Sequence, residues 1–66
     1  MQITVNGETE NAASGATVAA LVTQHNLEPL RVAVEVNEEL VPRRDYEQTR
    51  LQPGDRVEIV TFVGGG

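Results

Sequence analysis

The sequence predicts an α+β domain in which a mixed sheet of about four to five strands packs on one helix. Short segments in which apolar and polar residues alternate occur near the beginning, in the middle and near the end of the chain. This period of two is typical of half-buried strands. Apolar residues at helical spacing occur in a single segment, and 66 residues suffice for one small domain.

The first predicted element is a β-hairpin. Ile3 and Val5 alternate with polar residues and are followed by Asn6-Gly7. Asn-Gly is a strong hairpin signal because both central positions of a type I′ turn need a positive φ. The return strand is expected from about Glu8 to Ala13, and Ser14-Gly15 ends it.

The helix is predicted from about Val18 to His25. Thr17 precedes it and can cap its first turn through the side-chain hydroxyl. Asn26 suits a left-handed residue just after the helix, and Pro29 prevents the helix from continuing. The apolar stripe has i, i+3 and i+4 spacing and consists of Val18, Leu21 and Val22.

The middle of the chain predicts a strand whose alternating valines face the helix, namely Val32, Val34 and Val36. Residues 37–39, Asn37-Glu38-Glu39, are expected to turn the chain. Leu40-Val41 is then a short strand that Pro42 ends. Residues 43–50 are polar and predict a short turn or irregular helix, in which Tyr46 covers the core.

The last strand follows a tight turn at residues 52–55, Gln52-Pro53-Gly54-Asp55. One face of this strand carries Val57, Ile59, Thr61 and Val63, and the other carries Glu58, Val60 and Phe62. The order of all these elements is that of a β-grasp (ubiquitin-like) sheet around one helix. We therefore expect a β-grasp domain over residues 1–63 and a flexible, reactive tail over residues 64–66.

The tail consists of Gly64, Gly65 and Gly66 and comes directly after the apolar end of the last strand. Glycine has no Cβ, so this backbone can straighten and enter a slot that is too narrow for side chains. Three extended residues span at most about 10 Å. We expect that the carboxylate of Gly66 reaches the active site of another protein, and that the domain docks close to that site.

Composition excludes several other kinds of function. Ten acidic residues against five arginines give a net charge of −5, which disfavours nucleic acid and favours a protein partner with a basic surface. The chain has no cysteine and one histidine, so we expect no disulfide, iron–sulfur cluster or metal site. No segment resembles a membrane span or a signal peptide, and we expect a cytoplasmic protein.

Side-chain catalysis is also not expected. Ser14, His25 and Asp45 are the residue types of a hydrolytic triad, but so small a domain has little means of holding a triad together. Arg43-Arg44 is expected to be a solvated turn, with a partner contact as the alternative. Since every basic side chain is an arginine, the chain has no lysine that could accept an isopeptide bond.

In order and spacing, the segments of the chain resemble the ThiS/MoaD group of ubiquitin-like sulfur carriers. The segments are Val34-Glu35-Val36-Asn37, Val41-Pro42-Arg43, Gly54-Asp55-Arg56-Val57-Glu58-Ile59-Val60 and Val63-Gly64-Gly65-Gly66. The Val-Pro-Arg segment favours the thiamine-biosynthesis branch over the small subunit of molybdopterin synthase, which is usually longer and lacks this segment. Gly64 is one glycine more than the essential pair, which leaves the chemistry intact and loosens the exit of the tail.

The resemblance implies that an E1-like adenylyltransferase (ThiF-type) uses ATP to adenylate Gly66. A sulfur donor such as a cysteine desulfurase then converts Gly66 to a thiocarboxylate, 1-thioglycine, which delivers sulfur to a thiazole synthase (ThiG-type). The chain itself would bind no cofactor and would be a protein co-substrate rather than an enzyme. Gly64 and Gly65 would provide clearance for Gly66.

A docking surface is expected on the sheet face that points away from the helix. Val60 and Phe62 share this face, and Ala33 joins them if the two strands are neighbours. We expect Glu35 and Glu58 to meet basic groups of the activating enzyme there. The alternative is that Phe62 folds over the edge of the sheet.

Three other functions remain open from the sequence. The chain could carry sulfur for molybdopterin or for tRNA thiolation, or it could be a ubiquitin-like modifier that forms an amide with a lysine of a target. It could also be a β-grasp interaction module whose glycines belong to a linker without chemical function.

Overall fold

The computed structural model describes residues 1–62, so the predictions for Val63, Gly64, Gly65 and Gly66 lie outside the described residues. Within this range the elements are β1 (Gln2–Val5), β2 (Glu8–Asn11), α1 (Val18–Gln24), β3 (Val32–Val36), β4 (Glu39–Val41) and β5 (Arg56–Thr61). Two 3₁₀ turns, at Pro29–Arg31 and Arg43–Asp45, flank the β3–β4 pair. None of the helices in this range has the length and apolar character needed to cross a membrane.

The strands of residues 1–62 form one mixed sheet in the order β2-β1-β5-β3-β4. β1 and β5 run parallel, whereas the β1–β2, β3–β5 and β3–β4 pairs are antiparallel. The sheet packs on α1, and this is the β-grasp architecture. The predicted fold class is therefore confirmed.

Both hairpins of the sheet close with two-residue turns at positive φ. Asn6 and Gly7 have φ of 52° and 84°, which confirms the turn expected from the Asn-Gly pair. β2 ends at Asn11 rather than Ala13. The turn predicted at residues 37–39 is wrong by one residue, because Asn37 and Glu38 form it alone and Glu39 already pairs with Val36 in β4.

The helix ends are fixed by the residues that the sequence singles out. The Thr17 hydroxyl accepts a hydrogen bond from the Ala20 N–H at 3.1 Å. Asn26, at a φ of 61°, lies one residue beyond the C-cap His25, so α1 is one residue shorter than predicted. The amides of Asn26 and Leu27 donate to the carbonyls of Thr23 and Val22, and this pair of bonds is a Schellman motif.

The core lies between α1 and the inner face of the sheet. The buried apolar residues are Ile3, Val5, Ala12, Val18, Leu21, Val22, Val32, Val34, Val41, Tyr46, Leu51, Val57 and Ile59. Val36, the third valine predicted to face the helix, is only partly buried at the end of β3. Tyr46 covers the core as predicted, and its hydroxyl lies 3.4 Å from the Val32 carbonyl oxygen.

Candidate functional site

The strand that precedes the glycine tail lies at the centre of the sheet. β5 pairs with β1 on one side, and on the other side its register with β3 runs from Val36↔Val57 to Val32↔Thr61. The Phe62 N–H then donates to the Arg31 carbonyl at 2.9 Å. The backbone is therefore tied to its neighbours up to the last described residue before the tail.

Two asparagine side chains extend the pairing of β5 beyond its neighbouring strands. The Ile59 N–H donates to Asn6 Oδ1 at 2.8 Å, and Asn6 Nδ2 donates to the Ile59 carbonyl at 3.2 Å. From the other side, Asn37 Oδ1 accepts the Arg56 N–H at 3.0 Å, and the Asn37 N–H donates to the Arg56 carbonyl at 2.7 Å. Each asparagine thus both accepts from the N–H and donates to the carbonyl of one β5 residue, as a residue of a neighbouring strand would. Sequence reasoning assigned both residues to turns and missed this second role.

The outer face of the sheet, the face opposite α1, holds all the residues of the predicted docking surface. Ala33 is the Cα partner of Val60, and Glu35 is the Cα partner of Glu58. Val60 is 58% exposed and Phe62 is 50% exposed. The structure therefore brings the five predicted residues together as three apolar side chains beside two carboxylates.

Glu35 and Glu58 stand directly opposite each other on neighbouring antiparallel strands. No basic side chain of residues 1–62 lies within salt-bridge distance of either carboxylate. Arg56 shares a cleft with both glutamates, but its closest carboxylate is that of Glu38, at 3.9 Å. Like charges placed directly across a strand pair destabilise a sheet. This pair therefore has an electrostatic cost that a basic group of a partner would relieve.

Leu40 belongs to the same face but was missed as a site residue. It pairs with Glu35 and is 66% exposed. Leu40, Ala33 and Phe62 line one groove together with Pro42 and Arg43. The predicted strand Leu40-Val41 was too short to show alternation, so its sequence could not tell which side chain points outward. Phe62 is half exposed and lines this groove beside residues of the edge strand β4, so its folding over the sheet edge stays an alternative.

The residue types of a hydrolytic triad are not assembled. His25 Nε2 lies 2.9 Å from both carboxylate oxygens of Glu10, and no hydrogen bond joins it to Ser14 or Asp45. The contact links the end of α1 to β2, which is a structural role. Within residues 1–62, no group of three or more His, Cys, Asp or Glu side chains could hold a metal ion.

Comparisons with known proteins agree with this architecture over the whole chain. The sequence model of the ThiS family matches residues 2–66. A thiazole synthase of Paramagnetospirillum magneticum is 42% identical over 66 residues, which are 100% of this chain and 20% of that protein. This chain thus spans only a fifth of the length of that relative.

Two proteins named ThiS match over their full length. The sulfur carrier protein ThiS of Escherichia coli is 32% identical over 66 residues, which are 100% of both chains. The crystal structure of the thiamine biosynthesis protein ThiS from Geobacter metallireducens superposes with a TM-score of 0.84 at 33% identity and covers 100% of both chains. The resemblance seen in the sequence segments is confirmed, and the chain belongs to the ThiS family of sulfur carrier proteins of thiamine biosynthesis.

Proposed function

We propose that this chain carries sulfur on the carboxylate of Gly66 as a co-substrate of other enzymes. An E1-like adenylyltransferase activates the carboxylate with ATP, a sulfur donor such as a cysteine desulfurase converts it to a thiocarboxylate, and a thiazole synthase consumes the sulfur. The observation that carries the proposal is the full-length match to a ThiS sulfur carrier, which extends over residues 64–66. The thiazole synthase relative, which contains a region similar to this whole chain, supports that partner.

The chemistry explains why activation is needed. A C-terminal carboxylate is an anion at neutral pH and resists attack by a sulfur nucleophile. When its oxygen attacks the α-phosphorus of ATP, pyrophosphate leaves and the carboxylate becomes half of a mixed anhydride. Sulfide can then add to the acyl carbon and AMP leaves, which gives the thiocarboxylate. With a persulfide donor, an acyl disulfide forms first and a thiol must reduce it.

The folded domain contributes position rather than catalysis. β5 is paired on both sides and the Phe62 N–H is bonded to the Arg31 carbonyl, so Phe62, the last described residue before the tail, has a defined place relative to the outer face. Gly64 and Gly65 have no side chains that could block entry into a narrow active site. Because three residues span at most about 10 Å, the partner must contact the domain close to the tail.

The outer face is the proposed contact surface. Ala33, Val60 and Phe62 provide its apolar part, and the activating enzyme places basic groups over Glu35 and Glu58. Charge reversal at Glu58 is expected to slow adenylation at low salt and to have less effect at high salt. The matched control is charge reversal at Glu47, an exposed glutamate outside the sheet. Equal adenylation kinetics of the Glu58 and Glu47 variants at both salt concentrations would contradict this contact.

Intact-mass analysis tests the carrier function itself. The chain is incubated with ATP, an activating enzyme, a cysteine desulfurase and cysteine, and the expected product is heavier by the replacement of one oxygen by one sulfur. A chain without Gly65 and Gly66, which no longer ends in a pair of glycines, is the control and should not change in mass. Conjugates of high mass would indicate a protein modifier instead, and an unchanged mass would refute activation. Supplying the thiocarboxylate to thiazole synthase, molybdopterin synthase or a tRNA thiolase then identifies the sulfur acceptor.

A further inference from the structure

A groove lies beside Phe62, at the end of the sheet where β3 begins and β4 ends. Its lining includes buried residues of the inner face, Val32, Val41 and Tyr46, as well as residues of the outer face. Its volume is about 190 Å³, and Ala33, Leu40, Pro42, Arg43 and Phe62 are among the residues that line it. Leu40 and Phe62 are exposed over half or more of their surface although both are large and apolar. Exposed apolar side chains that converge on a groove are typical of a contact surface for another protein.

Arg43 at the rim of this groove is held in place without a carboxylate partner. Its Nε donates to the Pro29 carbonyl at 3.0 Å, which fixes the guanidinium, and no carboxylate of residues 1–62 lies within salt-bridge distance. By contrast, Arg31 pairs with Glu28 at 3.5 Å and Arg56 with Glu38 at 3.9 Å. A pre-oriented arginine loses little side-chain entropy when it binds a carboxylate.

Local structure explains how the Val41-Pro42-Arg43 segment presents this arginine. Val41 is buried on the inner face, and Pro42, with a φ of −61°, ends β4 and begins the 3₁₀ turn Arg43–Asp45. Pro42 and Arg43, the two residues that follow β4, therefore both line the groove, and Arg43 brings the charge. The contact proposed for the activating enzyme, at Glu35 and Glu58, does not include this segment.

We propose that the groove and Arg43 recognise an acidic side chain of thiazole synthase that stands beside an apolar side chain. The carboxylate binds the terminal guanidinium nitrogens of Arg43, and the apolar side chain covers Leu40 and Phe62. This inference rests on the proposed function and names a residue that orients the carrier on the protein that consumes its sulfur. Thiazole synthase is favoured over a second copy of the chain because a net charge of −5 opposes self-association.

The charges along the outer face make docking directional. Glu35 and Glu58 form one end of the face, whereas Arg43 and the groove lie beside Phe62, the last described residue. A partner surface with the opposite order of charges fits in one orientation only, because in the reversed orientation like charges would face each other and repel. In the matching orientation, Phe62 lies beside the part of the partner that carries the acidic side chain.

The experiment measures binding of the chain to purified thiazole synthase at low and high salt. Arg43→Glu is expected to weaken binding about 30-fold or more at low salt, and less at high salt. The matched control is Arg44→Glu, which makes the same charge change at the neighbouring exposed residue and should weaken binding by less than about threefold. Arg43→Lys keeps the positive charge but lacks the planar guanidinium, and its affinity for thiazole synthase should lie between those of the other two variants. Thermal melts of all variants show whether the fold is retained.

Equal affinities of the Arg43→Glu and Arg44→Glu chains for thiazole synthase would overturn the inference. It would also be overturned if Arg43 governed self-association or binding to the activating enzyme instead. Failure of the proposed function gives a different result, because the wild-type chain would then acquire no sulfur in the intact-mass assay.

Discussion

Replacing Asn6 should weaken the attachment of β5 to the sheet. Its side chain forms two hydrogen bonds with the backbone of Ile59, a residue 53 positions away in the chain. Asn6→Gly removes both bonds and still tolerates the φ of 52° at this position. Asn6→Ala removes the same bonds and, unlike glycine, keeps a Cβ at this left-handed φ without the local hydrogen bonding by which asparagine tolerates it.

The expected loss follows from these contacts. A hydrogen bond contributes about 0.5–1.5 kcal/mol net, so Asn6→Gly should lower the free energy of unfolding by about 1–3 kcal/mol. Asn6→Ala should lower it by roughly a further 1 kcal/mol because of the left-handed backbone. A domain of 66 residues has a total free energy of unfolding of about 3–10 kcal/mol, so either loss is large.

Urea unfolding at 25 °C measures these differences, and amide hydrogen exchange locates them. Hydrogen exchange of the Ile59 amide should accelerate more than that of the Arg56 amide, because the Arg56 N–H still donates its hydrogen bond to Asn37 Oδ1 in the Asn6 variants. The matched control is Asn26→Gly, because Asn26 also has a positive φ of 61° but its side chain forms no hydrogen bond within residues 1–62. The reasoning is refuted if Asn6→Gly is as stable as Asn26→Gly.

Three further predictions concern the acidic pair, the core and the tail. Glu58→Gln removes the repulsion from Glu35, so the free energy of unfolding in urea should rise by about 0.2–1 kcal/mol at low salt, and a decrease would contradict the cost assigned to the pair. Leu21→Ala leaves a cavity under α1 and should lower the free energy of unfolding by roughly 2–5 kcal/mol. This estimate would be refuted if the variant lost less free energy of unfolding than a variant in which an exposed valine is replaced by alanine. Gly65→Trp should abolish the mass gain in the sulfur-transfer assay without changing the melting temperature, and normal sulfur loading of this variant would refute the need for clearance.

Local chemistry made most of the fold predictable from the sequence. Asn6-Gly7 specified a type I′ turn, the Thr17 hydroxyl specified the start of α1, and Asn26 specified its end. The second hairpin was misplaced by one residue because Glu38 adopts a φ of 72°, a conformation that glutamate seldom takes and that no local pattern indicates. The 3₁₀ turn at Pro29–Arg31 was not predicted either, since its proline indicated only where the helix had to stop.

The candidate site was predictable where strands were long enough to alternate. Glu58 and Val60 were placed on the outer face by the alternation of β5, and their partners followed from the register with β3. Leu40 was missed because its strand is short. The contacts of Asn6 and Asn37 with β5 join residues far apart in the chain, and such pairings follow from tertiary structure rather than from local sequence.

The central place of β5 has a consequence for how the protein is made. A growing chain that has not reached Arg56 can form the β1–β2 and β3–β4 hairpins, but no strand then joins them. Isolated two-stranded hairpins are at best marginally stable in water. The sheet therefore can close, and the outer face can form, only after β5 has been synthesised.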